Sequence, residues 1–449
     1  MTRALRHNRG NAKQAMRRLA IIIIVALGLG ACAFFEKEIQ EPLPGERISV
    51  MMHQATLSPD PELVDKRILL PAPSPNRDWP QSGGYANHAM HHIQVRDSLQ
   101  ENWSVDIGAG KDDKERLNSS PVVADGMVFA IDAESSVSAF DAATGSRVWE
   151  AELTPDDEDD GHISGGIAYE RGRLYVTTGF AEVIALNAKT GAEVWRRSIG
   201  SPMRTAPTVR GGRVFVTTVD NRLLALTTDS GEELWAHTGL TEVASVLGGA
   251  SPAVDSGVVV VPYACCELVA LKVDNGRVLW QDSLLTLRRT GSASTLSQIR
   301  GRPIIDRGRV IAISHGGVIA AIDLRMGRRI WDKEIGGLES PWVAGDYIFI
   351  LTNDNEIACI SRDDGRIHWV RALQRYEDPE DRDDPIIWTG PVLASDRLIV
   401  AGSNGEALAI SPYTGNILGV VEMPDGVSVP PVIADGAVYF LADDAELVA

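Results

Sequence analysis

From about residue 103 onward, apolar and polar positions alternate in short runs, each closed by Gly, Asp, Asn or a small polar residue. Val137 to Asp141, Val183 to Asn187, Leu223 to Thr227, Leu268 to Lys272, Val318 to Asp323, Ile357 to Ser361 and Ala407 to Ser411 all read this way. Alternation with a period of two sends successive side chains to opposite faces, so these runs are predicted antiparallel strands. Ahead of them lie β-branched runs entered through a Gly or Asp turn, such as Val214-Phe215-Val216 after Gly212. Earlier still come short strands opened by Pro121, Pro207, Pro252, Pro303 and Pro391.

Each alternating run is followed by a small turn residue, Gly, three residues and Trp. The copies end on Trp149, Trp195, Trp235, Trp280, Trp331 and Trp369; a seventh, Thr414-Gly415, carries Gly419 in the Trp position. A repeat of about 40–50 residues is that of propeller blades. Four strands form one sheet, which cannot bury both faces alone. Packing sheet on sheet around an axis solves this, with each Gly turn bringing a Trp ring onto a neighbouring blade.

Ring closure is predicted as well. After Val429 the chain supplies three strands (Pro431 to Ile433, Ala437 to Phe440, Glu446 to Val448) and no fourth. Glu101 to Asp106 resembles an isolated fourth strand, with Trp103 in the docking position. The expectation is an all-β, eight-bladed propeller of four-stranded antiparallel blades, closed by pairing this N-terminal strand with the C-terminal blade. No open edge then remains there. Trp103, Trp149, Trp195, Trp235, Trp280, Trp331 and Trp369 are the expected blade-docking residues.

The N-terminus has a different pattern. Met16-Arg17-Arg18 precedes an apolar run from Leu19 to Leu29, then Gly30-Ala31-Cys32. Basic flank, short apolar run, small pair and cysteine stand in the order of a bacterial lipobox. By that resemblance residues 1–31 are a signal peptide and Cys32 is the lipidated residue. Ala33, where an Asp would suggest retention in the inner membrane, implies the outer membrane. Both Met1 and Met16 stay open as starts. Residues 32–78 are rich in proline and hold no sustained hydrophobic period, so they read as an extended tether, with one short helical turn around Pro61 to Ile68. Residues 79–449 would be the propeller.

Composition narrows the function. The formal net charge is −18, which argues against nucleic acid, since a phosphate backbone needs a basic face. Four cysteines in 449 residues are too few for a disulfide scaffold.

The Gly-x-x-x-Trp repeat resembles the tryptophan-docking repeat of quinoprotein dehydrogenases, which is shared by the BamB family of outer-membrane assembly lipoproteins. Lipobox, tether and eight repeats together resemble the latter. That resemblance implies a non-enzymatic scaffold without cofactor or metal, lipid-anchored at the outer membrane and facing the periplasm. Its implied partners are the POTRA domains of BamA, other subunits of the β-barrel assembly machinery and nascent outer-membrane barrel proteins. The family's partner-binding loops match Glu242 to Gly249 and Ser297 to Arg302 here, giving Val246, Leu247, Gln298, Ile299 and Arg300 as candidate contacts. Gln298 and Arg300 stand where acidic residues would be natural.

The alternative is a quinone-dependent periplasmic dehydrogenase. Cys265-Cys266 resembles the adjacent-cysteine pair of some such enzymes, but falls where other repeats carry a tight hairpin turn. Trp342 and Trp388 lie outside the docking repeat and are candidates for a quinone floor or for loop anchors. His88, His91 and His92 cluster without the further ligands that a closed metal site needs. Asp156 to Asp160 and Glu377 to Asp381 lack the Gly-punctuated alternation of a calcium loop and read as solvated insertions. Scaffold remains the leading reading.

Overall fold

The computed structural model describes residues 57–449 except 65, 113–115, 156–162, 164, 241–248, 265 and 286–297. Among the described residues there are eight four-stranded antiparallel sheets and one two-stranded hairpin. Blade 1 is representative, with strands Val122–Ala124, Met127–Ile131, Ser136–Asp141 and Arg147–Glu152, ordered from inside to outside. Its second and third strands are buried nearly throughout, whereas its outer strand is mostly exposed. That gradient explains the sequence: continuous apolar runs lie mid-blade, and charges enter at the rim.

The first hairpin of each blade turns tightly. Asp125 and Gly126 have φ of 53° and 76°, the two positive values that match the twist of paired strands. Arg171-Gly172, Ser256-Gly257, Arg307-Gly308 and Asp435-Gly436 repeat the device.

The seven tryptophans stand at successive blade boundaries. Each ring lies on the glycine of the next blade's turn: Trp103 on Gly145, Trp149 on Gly191, Trp195 on Gly231, Trp235 on Gly276, Trp280 on Gly327, Trp331 on Gly365 and Trp369 on Gly415. Each indole Nε1 donates to a carbonyl of that same blade, from Ala142 at 3.1 Å for Trp103 to Pro412 at 3.0 Å for Trp369. A Cβ at any of these glycines would fall 2.5–2.8 Å from the ring. In blade 8 the fourth strand is Ser104–Asp106, paired antiparallel with Glu446–Val448 through Ser104↔Val448 and Asp106↔Glu446.

Of the extended tether expected over 32–78, residues 32–56 lie outside the described residues and the rest is bound. Residues from Leu57 onward lie on the blades: Asp60 N–H donates to Ile367 O at 2.8 Å, and Arg366 grips the Asp60 carboxylate through two nitrogens at 2.7 and 2.8 Å. Those bonds hold the half-buried Asp60 carboxyl down at about 2. The turn expected near Pro61 is present, closed by Leu63 N–H to Asp60 O.

Candidate functional site

Propellers present two loop faces, an axis and a rim, and each can be built from its residues.

At the axis, residues 76–95 run past the inner strands of all eight blades in ring order. Asn76 O accepts from Asp435 N–H in blade 8, and Trp79 exchanges two backbone bonds with Val123 in blade 1. Pro80 O accepts from Tyr169 in blade 2, and the Gln81 amide exchanges two bonds with Val209 in blade 3. Ala86 O and Asn87 O accept from Val254 and Ile305 in blades 4 and 5. His91 O accepts from the Trp342 indole in blade 6, and Ile93 bonds to Leu393 and Ser395 in blade 7. Inner strands leave one row of backbone groups without a strand partner, and this segment satisfies part of it. Proline and glycine let it do so without regular structure.

The three histidines of this clasp diverge. His88 Nδ1 bonds Pro303 O at 2.8 Å, His92 bonds Pro71 O and Asp396 N–H, and His91 Nε2 lies 3.5 Å from Asp306. They do not form a joint site, and among the described residues no group of three His, Cys, Asp or Glu could hold a metal ion. Burial, with the Arg302 guanidinium close by, pulls the His88 imidazole down to about 3. It is therefore neutral, with Nδ1–H donating. Trp342 and Trp388 are anchors: Trp342 stacks on Trp79 at 6.2 Å, and the Trp388 indole donates to Gln374 O at 2.8 Å.

The loops entering blades 4 and 5 carry the candidate partner contacts. Val246 and Leu247 lie outside the described residues. Ile299 is 2% exposed and packs in the core shared by blades 4 and 5, beside Leu284 and Ile305. Ile299, a candidate partner contact by resemblance, thus has its side chain in the wall. Gln298 is also buried, with its carbonyl accepting from His315 N–H at 2.9 Å. Arg300 keeps solvent access. Beside them a shallow depression across blades 3 to 5 is lined by Arg204, Thr218, Asn221, Ala250, Ala264 and Ile299. Cys266 is buried in the turn between the second and third strands of blade 4, and Cys265 lies outside the described residues. Cys359 is buried mid-blade, and that burial pushes its thiol well up. Glu377 to Asp381 sit on the exposed hairpin Tyr376–Asp378/Asp383–Pro385, where Asp378 caps the turn.

A family model described as "Outer membrane protein assembly factor BamB" matches residues 100–159 and 133–371. The chain belongs to the BamB family. Curated relatives of that name from Shigella dysenteriae and Escherichia coli are each 28% identical over 347 residues, covering 76% of this chain and 86% of theirs. Among solved structures, BamB from Moraxella catarrhalis superposes with a TM-score of 0.66 at 20% identity, covering 78% of this chain and 99% of that one. A quinohemoprotein alcohol dehydrogenase from Comamonas testosteroni superposes at 0.63 with 16% identity, covering 81% and 76%. At such identities both superpositions speak to the fold alone. The axial clasp precedes the residues matched by the family model.

Sequence reasoning missed two features of this molecule. The clasp carries no periodicity because it bonds through backbone and isolated side chains. The rim of blade 7 had one visible sign, the glycine at 419 in place of the recurring tryptophan.

Proposed function

We propose that this chain is a non-enzymatic scaffold of the β-barrel assembly machinery, anchored through a lipid on Cys32 and held in the periplasm at the outer membrane. Membership of the BamB family carries the reading, because its curated relatives are named as outer membrane protein assembly factors. The architecture supports it: a rigid ring stapled by seven tryptophans offers large loop faces for protein contacts.

The proposed partner is the POTRA region of BamA, met by the loops entering blades 4 and 5. Leu247 and the solvent-reaching Arg300 are the contacts we assign; Gln298 and Ile299 hold the loop base in place. A buried contact at the centre of an interface accounts for a large share of affinity. Titrating purified POTRA domains against the chain tests this. Leu247→Asp and Arg300→Glu are expected to weaken binding about tenfold each, a change of about 1.4 kcal/mol. Unchanged affinity in both would move the contact elsewhere on the ring.

A further inference from the structure

The outer strand of blade 7, Ile417–Glu422, differs from every other described outer strand. All six of its residues are exposed, and Ile417, Leu418, Val420 and Val421 are 49%, 57%, 52% and 60% accessible. In blades 1, 2, 4, 5 and 6 the outer strand carries an interior charge, at Glu150, Arg196, Asp282, Asp332 and Arg371; in blades 3 and 8 its only charge is the terminal Glu233 or Asp106. Charges on a strand edge discourage pairing with foreign chains. In blade 7 the only charge is likewise the terminal Glu422, but here all six residues face solvent.

The surface beneath this strand is open too. In blades 1 to 6 each docking Trp stands opposite a small residue of the third strand: Ala139, Ala185, Ala225, Ala270, Ala321 or Cys359. All six are 0% exposed. In blade 7 Gly419 stands opposite Ala409, which is partly exposed, and Ala409 in turn pairs with Ile399. A Cβ at Gly419 would meet nothing within 4 Å, and its φ is not in the left-handed region. Neither backbone nor packing demands glycine there. Its effect is to leave a slot where the other blades hold an indole.

The topology explains why no tryptophan fills the slot from within. A docking ring needs a glycine turn on the following blade. Blade 8 takes its fourth strand from Ser104–Asp106, so no hairpin turn joins its third strand to its fourth. The ring would have no floor.

Two features fix the chemistry of an occupant. An unpaired strand edge is matched by an extended backbone that adds one more strand. A residue opposite an edge glycine places its Cβ about 5 Å away, and an aromatic side chain there folds over the glycine and covers it. We propose that the rim of blade 7, at its boundary with blade 8, docks an extended, mainly uncharged segment of a partner protein. This segment pairs with Ile417–Glu422 and sets an aromatic side chain over Gly419. The slot stands on blade geometry and is independent of the assembly reading; under that reading, strands of nascent barrel proteins are its source.

The test uses the full chain and a fluorescein-labelled nonapeptide of alternating Val and Thr with a central Trp, together with its Trp-to-Ala twin, followed by anisotropy. The Trp peptide is expected to bind about tenfold more tightly than the twin. Gly419→Trp, which fills the slot in cis, and Val420→Lys, which charges the edge, are each expected to weaken it about tenfold. Val148→Lys, on the exposed outer strand of blade 1, is the control and leaves binding unchanged. Urea midpoints equal to that of the parent chain establish that the variants are folded. Equal binding of both peptides, equal loss in the blade 1 control, or no binding at all overturns the proposal. So does a dimer of the parent chain that Val420→Lys dissolves, because the edge then belongs to a second copy. POTRA affinity measured on the same variants is expected to stay constant, so a failure of the assembly reading leaves the peptide result standing.

Discussion

Glycine in the Gly-x-x-x-Trp repeat is held by two constraints at once. Gly276 has φ of 67°, and the Trp235 ring would lie 2.5 Å from any Cβ there. Gly276→Ala therefore combines left-handed strain with overpacking, and is expected to cost about 2–4 kcal/mol in a urea titration. Gly419→Ala meets neither constraint and is expected to stay within about 0.5 kcal/mol of the parent. His88 gives a pH prediction at the same scale. Its imidazole titrates near 3 in the folded chain and near 6.5 when unfolded. Between those values the unfolded state binds the extra proton, so stability falls as pH drops from about 6.5 toward 3 and is unaffected above. Its slope contribution is at most about 1.4 kcal/mol per pH unit. Urea titrations at pH 7, 5.5 and 4.5 are expected to show a shallower acid loss in His88→Gln than in the parent.

Elements of the chain divide into those that the pattern reveals and those that it hides. Strands of the blades were legible through their apolar runs and turns, although the run from Val137 that read as alternating is buried on both faces through Phe140 and the outer strand is the one that alternates in burial. The turns were legible through their glycines. The clasp of residues 76–95 was not, since a segment that bonds largely through backbone needs no hydrophobic period in its sequence. The burial of Ile299 and Gln298 was hidden for a related reason: residues five and six positions before the strand Ile304–Asp306 already belong to the blade wall. The clasp makes a clear prediction. A chain beginning at Leu57 is expected to unfold at the same urea midpoint as one beginning at Cys32. One beginning at Asp97 loses the bonds to all eight blades and uncovers Trp342. It is expected to lose roughly 3 kcal/mol or more, with hydrogen bonds at about 1 kcal/mol net each offset in part by the ordering entropy of the segment. Equal midpoints for the two truncations would mean that the clasp is only draped on the ring.

For the whole molecule, the ring is closed in two ways, by the Ser104–Asp106 strand at the boundary of its two ends and by the clasp along the axis. Seven of its eight blade boundaries carry a docked tryptophan, and the eighth carries the open slot at Gly419. A scaffold that is rigid and acidic overall suits selective protein contacts, because like-charge repulsion discourages indiscriminate ones. The most direct test of the assembly role is affinity purification of the tagged full chain from detergent-solubilised envelopes, with mass spectrometry of the co-purifying proteins. The account predicts a POTRA-bearing outer-membrane barrel protein in near-stoichiometric amount, lost on combining Leu247→Asp with Arg300→Glu. Absence of any such barrel protein, together with quinone-dependent dye reduction by the purified chain, would contradict it.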